Sequence, residues 1–330
     1  MSQLLECVPN FSEGQNNETI KAIAQSIREV KDVKLLHVDN GIAANRTVYT
    51  FVGKPNQVLE AAFQAIKVAS KIIDMRKQKG EHPRVGACDV CPLVPISGIS
   101  MEEVVVLSHQ LAERINSELQ IPIYLYENSA QTSDRKQLAA IRKGEYEGLK
   151  EKMKLADWKP DYGIDFNPKS GATIIGARNF LIAYNFNLNT TDVLIAKEIA
   201  ASIRESGKII TNIQGNKIRK PGLFNHLKAI GWFIKDFGIA QVSCNFSNYQ
   251  ETPLHEVLEV IEKLAIQKGT KVTGSELIGL IPKQALLESG IYFNATETDE
   301  QKLIKVAIDR LGLSDLTDFS PKNRIIDYMV

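Results

Sequence analysis

The chain has 330 residues, 44% hydrophobic and 24% charged, the composition of a globular protein long enough for two cores. Its 40 lysines and arginines against 39 aspartates and glutamates leave a formal net charge of +1, so no global field draws it to nucleic acid or an anionic membrane. No stretch nears the roughly 20 apolar residues of a membrane span. The first residues lack a secretory pattern and the four cysteines are too few for a disulfide framework, so a cytoplasmic location is expected.

Residues 2–8 alternate loosely and end at Pro9-Asn10, predicting a strand and a turn. Apolar Ile20, Ile23, Ala24 and Ile27 give helical spacing over 17–30. Residues 33–39 and 46–52 read as a hairpin joined through Asn40-Gly41. A helix over 58–73 and a strand over 89–96 follow. The next helix, 101–119, opens on a capping box of Ser100 and Glu103. A strand at 121–126 leads into a polar stretch, 128–165, helical in part over 134–142. After turn-rich Gly163 to Gly171 and one more strand, the second half uses the same grammar: strand 180–187, helix 192–205, paired strands 226–233 and 239–245, helix 254–267, strand 270–277, helices 282–288 and 300–311. The short basic runs at 76–79 and 217–220 read as solvated faces. Recurring hairpins make the sheets mixed. The fold class is therefore α/β of the α+β type, with domains 1–180 and 181–330. Each sheet is covered by helices on one side, and two half-covered sheets facing each other would form a cleft.

Glu81-His82-Pro83-Arg84-Val85-Gly86-Ala87 is the densest chemistry in the chain. Pro83 keeps His82 from helical geometry, and an imidazole titrates near neutral pH. From these residues alone, a surface histidine without a role is an equal reading. Two further polar clusters are Asn10-Phe11-Ser12-Glu13-Gly14, and Asp39-Asn40-Gly41 with Asn45-Arg46-Thr47. For the first, turn chemistry is favoured, with Ser12 or Asn10 capping the first helix. Arg46 can present a planar fork to a carboxylate, and an ion pair with Asp39 is compatible with that. Cys88-Asp89-Val90-Cys91 lacks a second ligand pair and reads as strand, not as a zinc or redox site. His37, His109, His226 and His255 lack metal-ligand spacing. With no phosphate-binding glycine loop and no nucleophile elbow, ATP and dinucleotide cofactors are not indicated. Gly163 to Gly171, with Phe166 as a stacking face, is either a binding loop or an ordinary connection, and the residues favour the second.

Several segments together carry a resemblance: Glu6-Cys7-Val8-Pro9-Asn10-Phe11-Ser12-Glu13-Gly14, Asn45-Arg46-Thr47-Val48-Tyr49-Thr50-Phe51-Val52-Gly53, Lys79-Gly80-Glu81-His82-Pro83-Arg84, Gly171-Ala172-Thr173 and Ser320-Pro321-Lys322. Over nearly its whole length the chain resembles the glutamate formimidoyltransferase (formiminotransferase) family, in the single-function form without a cyclodeaminase domain. The resemblance implies two α/β subdomains whose sheets face each other across a tunnel, in a homodimer. It implies transfer of the formimidoyl group of N-formimidoyl-L-glutamate to N5 of tetrahydrofolate during histidine degradation, with tetrahydrofolate as co-substrate, no metal, and neither nucleic acid nor membrane as partner.

On that resemblance His82 is the general acid/base, and the folate-binding loop is Gly163, Ile164, Asp165, Phe166, Asn167, Pro168, Lys169, Ser170 and Gly171. The loop is about one residue shorter than the family's and lacks its aromatic residue before Gly171. Substrate carboxylates call for Arg46 and Arg84, with Asp39 orienting His82 or a substrate nitrogen. The rival expectations are formyl transfer from N-formyl-L-glutamate, folate binding without turnover, and a metal-dependent hydrolase using His82, Asp89, Cys88 and Cys91.

Overall fold

In the computed structural model, which describes residues 3–42, 44–80, 83–212, 214–235 and 237–329, mixed sheets and helices build two units, Met1–Asn179 and Phe180–Val330. The first unit runs β1 (Leu4–Cys7), β2 (Asn10–Phe11), α1 (Asn17–Arg28), β3 (Val33–Gly41), β4 (Arg46–Gly53), α2 (Pro55–Ile72), β5 (Cys88–Ser97), α3 (Met101–Leu119), β6 (Ile123–Leu125), α4 (Leu138–Arg142), α5 (Glu145–Lys152) and β7 (Thr173–Ala177). Its sheet is ordered β3-β4-β1/β2-β5-β7-β6. β1 and β2 share one lane, each antiparallel to β4 and to β5, whereas β5, β7 and β6 are parallel.

Side-chain parity divides this sheet into two faces. Leu5, Cys7, Phe11, Tyr49, Phe51, Cys91, Leu93, Ile123, Leu125 and Ile175 are buried with Ile23 and Ile27 of α1, Phe63 and Ile66 of α2, and Leu111 and Ile115 of α3. Val90, Tyr124 and Ile174 point the other way and pack with Ile141 of α4, Leu149 of α5 and Met153. Helices therefore also lie on the second face, over β5, β7 and β6. The polar stretch 128–165 supplies them. At 5 and 8 residues α4 and α5 are too short to display an apolar stripe.

Local signals hold where they are strong. Ser100 and Glu103 make both bonds of the capping box at α3. The cap of α1 is Asn16, whose side chain accepts from the Glu18 and Thr19 amides; neither Asn10 nor Ser12 caps it, both being engaged elsewhere.

The second unit runs β8 (Ile182–Leu188), α6 (Val193–Ile203), β9 (Lys208–Thr211), β10 (Lys217–Lys220), β11 (Leu227–Ile234), β12 (Ile239–Phe246), α7 (Leu254–Gln267), β13 (Val272–Ile278), α8 (Lys283–Phe293), α9 (Glu300–Leu311) and α10 (Pro321–Arg324). Its sheet, β11-β12-β8-β13, is antiparallel throughout. Tyr184, Phe186, Val242, Phe246 and Leu277 face a core closed by Ile199, Ile203, Val257, Ile261, Leu286 and Ile304. The hairpin β9–β10 forms a separate two-stranded ribbon. Residues 217–220 are exposed, as a solvated run should be, but form its second strand.

Candidate active site

Three polar loops meet at one end of the first sheet, with Asn45 as their hub. Its backbone is left-handed, at φ 46°. Its Oδ1 accepts from the Gly14 amide at 2.9 Å and its Nδ2 donates to the Lys79 carbonyl at 2.6 Å. Its own carbonyl accepts from Gln78 Nε2 at 3.1 Å. A Cβ on Gly14 would stand 2.4 Å from the Gly41 oxygen, and one on Gly80 2.3 Å from the Ala44 oxygen, so both loops use glycine for close backbone approach. Ser12 Oγ donates to the Gly86 carbonyl at 2.7 Å. The first two clusters read from the sequence are thus adjacent in space, and residues 78–80 and Gly86, which flank the third, lie against them. Glu81 and His82 lie outside the described residues; Gly80 and Arg84, on either side, are within them.

The face opposite α1–α3 carries the charge. In register, Asp39 of β3 stands beside Val48 of β4, Val48 beside Asn10 of β2, and Asn10 beside Val90 of β5. Asp89 is fully buried. Its Oδ1 accepts from the Val85 amide at 2.8 Å, and its Oδ2 pairs with Arg142 Nη2 at the end of α4. Arg46 shares this field: burial pulls its guanidinium down to about 10, Arg142 adds to the effect, and Asp89 and Asp39 oppose it. Asn10 Nδ2 donates to the Val8 carbonyl, while Asn10 Oδ1 is buried without a partner among the described residues. Cys88 and Cys91 belong to the core on the helix side, away from Asp89's partners.

Arg84 is placed differently. Its Nε donates to Gln78 Oε1 at 2.7 Å, Nη1 to Glu145 and Glu147 at 2.8 and 2.9 Å, and Nη2 to Glu147 at 2.7 Å and the Gln78 carbonyl at 3.3 Å. A guanidinium has five N–H donors, and here all five are occupied. The pairing holds the Glu147 carboxyl down at about 2. In this structure Arg84 anchors α5 and has no donor left for a substrate carboxylate.

The loop from Gly163 to Gly171 is tied to the same region. Gly163 and Gly171 are left-handed, at φ 74° and 67°. Asn167 Oδ1 accepts from the Lys169 and Ser170 amides, its carbonyl accepts from Gly171, and the Ser170 carbonyl accepts from the Ala87 amide at 2.8 Å. A Cβ on Gly86 would lie 2.0 Å from the Ala172 oxygen. The loop's end is therefore laid directly on the segment following Arg84. Phe166 is half-buried against Tyr146, with ring centroids 5.8 Å apart, while Ile164 and Asp165 are exposed.

Two acids were passed over in the sequence reading as site residues. Asp89 entered only a rival metal reading, and Glu6 entered only a family motif. Glu6, on β1 between Val52 and Val94, is buried, and burial lifts its carboxyl to about 7 against the opposing charge of Arg178. The available signal was a single carboxylate inside an apolar strand, in Leu4-Leu5-Glu6-Cys7-Val8 and again in Cys88-Asp89-Val90-Cys91.

A two-part α/β chain with a charged sheet face closed by glycine-dependent loops is a candidate small-molecule enzyme. Residues 4–178 match the family model of the formiminotransferase domain, N-terminal subdomain, and residues 183–330 match that of the formiminotransferase domain. The chain belongs to the formiminotransferase family. It is 49% identical over 335 aligned positions to a formimidoyltransferase-cyclodeaminase of Dictyostelium discoideum, covering 100% of this chain and 61% of that one. The corresponding protein of Rattus norvegicus is 47% identical, covering 100% and 60%. The chain spans about three-fifths of the length of these two relatives. It is 45% identical over 298 residues to a glutamate formimidoyltransferase of Streptococcus pyogenes serotype M1, covering 90% of this chain and 95% of that one. Among solved structures, a microcompartment protein from Desulfitobacterium hafniense DCB covers 84% of this chain and 94% of its own, but a TM-score of 0.23 at 8% identity carries no argument.

Proposed function

We propose that this chain transfers the formimidoyl group of N-formimidoyl-L-glutamate to N5 of tetrahydrofolate, releasing 5-formimidoyltetrahydrofolate and L-glutamate, as a step of histidine degradation. The observation that carries this reading is 45% identity over nearly the full length of a glutamate formimidoyltransferase. The convergence of three polar loops at the sheet end supports it.

N5 attacks the formimidoyl carbon, giving a tetrahedral intermediate. N5 loses a proton and the departing glutamate nitrogen gains one. His82 is the group for both transfers, because an imidazole near neutrality accepts and then donates. Its chain neighbour Gly80 packs against the turn that ends in Asn45 and Arg46, and Arg84 is pinned to Gln78. Arg46 is the cation for a glutamate carboxylate, and Asp39 orients His82 or a substrate nitrogen. Residues 163–171 hold the folate, with Phe166 and the exposed Ile164 and Asp165 facing it. Assembly as a cytoplasmic homodimer without a metal belongs to the same reading. No helix among the described residues is long and apolar enough to cross a membrane.

Purified protein supplied with tetrahydrofolate and either N-formimidoyl- or N-formyl-L-glutamate, followed by the folate absorbance spectrum, tests the proposal. Turnover with the formimidoyl donor is expected to exceed that with the formyl donor. Faster formyl transfer, or no transfer by folded protein, would overturn it.

A further inference from the structure

Arg142 ends α4 with a side chain only 12% exposed. Of the five N–H donors of its guanidinium, a single one meets an acceptor among the described residues, the Asp89 carboxylate that Nη2 reaches. Nε is buried without a partner among the described residues. Buried donors are almost always paired, because an unpaired one loses its water and gains nothing. Arg84 shows that this chain can satisfy a guanidinium completely. Among the described residues the shortfall at Arg142 therefore leaves donors for an acceptor from outside the protein.

Its surroundings define that acceptor. Arg46 adds a second guanidinium close enough to feel the charge of Arg142. Asn10 contributes the opposite deficiency, a buried Oδ1 that accepts nothing among the described residues, on the strand paired with β5 through Asn10 and Val90. A ligand that suits the ensemble brings a carboxylate for the guanidinium and an N–H for the amide oxygen. A glutamyl group attached through its nitrogen has both. The position is also fixed in advance. Lys152 Nζ donates to the carbonyls of Ala140, Ile141 and Lys143 at 2.8, 2.7 and 3.2 Å, and lies 3.9 Å from the Trp158 ring centroid. The last turn of α4, and with it the Arg142 backbone, is thereby held before any ligand arrives.

We propose that Arg142, with Asn10 Oδ1 as acceptor and Arg46 adding positive charge to the same sheet face, is a binding site for the carboxylate of a glutamyl group. The identity of the substrate rests on the formimidoyl-transfer reading; the carboxylate chemistry rests on the unpaired donors of Arg142. Both the formimidoyl donor and the tail of tetrahydrofolate carry such a carboxylate, and the experiment separates them.

In Arg142→Gln the KM for one of the two substrates rises about 10- to 100-fold, as expected for a lost charge-assisted pair, with kcat changed far less. A rise for N-formimidoyl-L-glutamate assigns the site to the donor; a rise for tetrahydrofolate assigns it to the folate tail. Because this variant leaves Asp89 buried without its cation, Arg142→Gln/Asp89→Asn is measured beside it, and thermal melting verifies folding. Calorimetric titration with L-glutamate and with p-aminobenzoyl-L-glutamate reads the same site without turnover. One of the two probes is expected to bind the wild type and to lose at least about tenfold in affinity in both variants. Loss of probe affinity in a protein that transfers nothing would sustain the site and remove the activity. If neither KM nor either probe affinity changes in folded variants, the site is overturned whatever the activity.

Discussion

Arg84 and Arg142 carry the same side chain and adjoin in sequence two members of one buried cluster, Val85 and Ile141, but they differ in hydrogen bonding. Arg84 delivers five donors to five acceptors from Gln78, Glu145 and Glu147. Among the described residues Arg142 delivers one, to Asp89. A saturated guanidinium is a structural clamp, whereas an unsaturated buried one holds binding capacity in reserve. For these two arginines the contrast separates a clamp from the proposed site, and Asn10 Oδ1, unpartnered among the described residues, is assigned to the second.

The largest expected effect is at the proposed acid–base histidine. His82→Ala should lower turnover about 10²–10⁴-fold while folate binding, measured by titration, persists. Unchanged turnover would remove the acid–base assignment.

Glu6 gives the next largest effect, and it appears in stability. The folded state keeps the Glu6 proton up to about pH 7, whereas an unfolded glutamate releases it near 4.5. A raised folded pKa contributes stability that is complete below pH 4.5 and is lost as pH rises through about 7. That gap corresponds to on the order of 3 kcal/mol. Denaturant unfolding of Glu6→Gln should therefore match wild type near pH 4.5 and exceed it at pH 8. An equal gain at both pH values would assign the change to packing instead.

The smallest effect tests the clamp. Arg84→Gln should lower unfolding free energy by about 2 kcal/mol, less than for a fully buried pair because Glu145 and Glu147 are partly exposed. Both substrate KM values should stay within about twofold of wild type, since no Arg84 donor faces a ligand. A selective rise in one KM would place Arg84 in the site and erase the contrast with Arg142.

Much of the fold could be read from local pattern. The Ile20, Ile23, Ala24 and Ile27 stripe and the Ser100–Glu103 box are interactions within one or two turns, and they appear as read. Helices α7 and α9 run over the residues their periodicity marks. The hairpin β9–β10 was not legible, because Lys217 to Lys220 are exposed on both faces and show no alternation. Helices α4 and α5 were legible only in part, being shorter than the pattern that identifies a helix. In the site, the polar clusters around Asn10, Asn45 and Arg84 could be recognised singly as turn chemistry. Their meeting through Asn45 and Ser12 depends on partners 31 to 74 residues away.

The sequence by itself determined the two-part α/β plan, the titratable imidazole at position 82 and the glycines that let loops approach, because each is a property of a residue and its immediate neighbours. Only the tertiary structure decided which arginine is a clamp and which retains donors for a ligand. The carboxylates Glu145 and Glu147 stand 61 and 63 residues from Arg84, and Asp89 stands 53 from Arg142, and no local pattern records where those acceptors will stand.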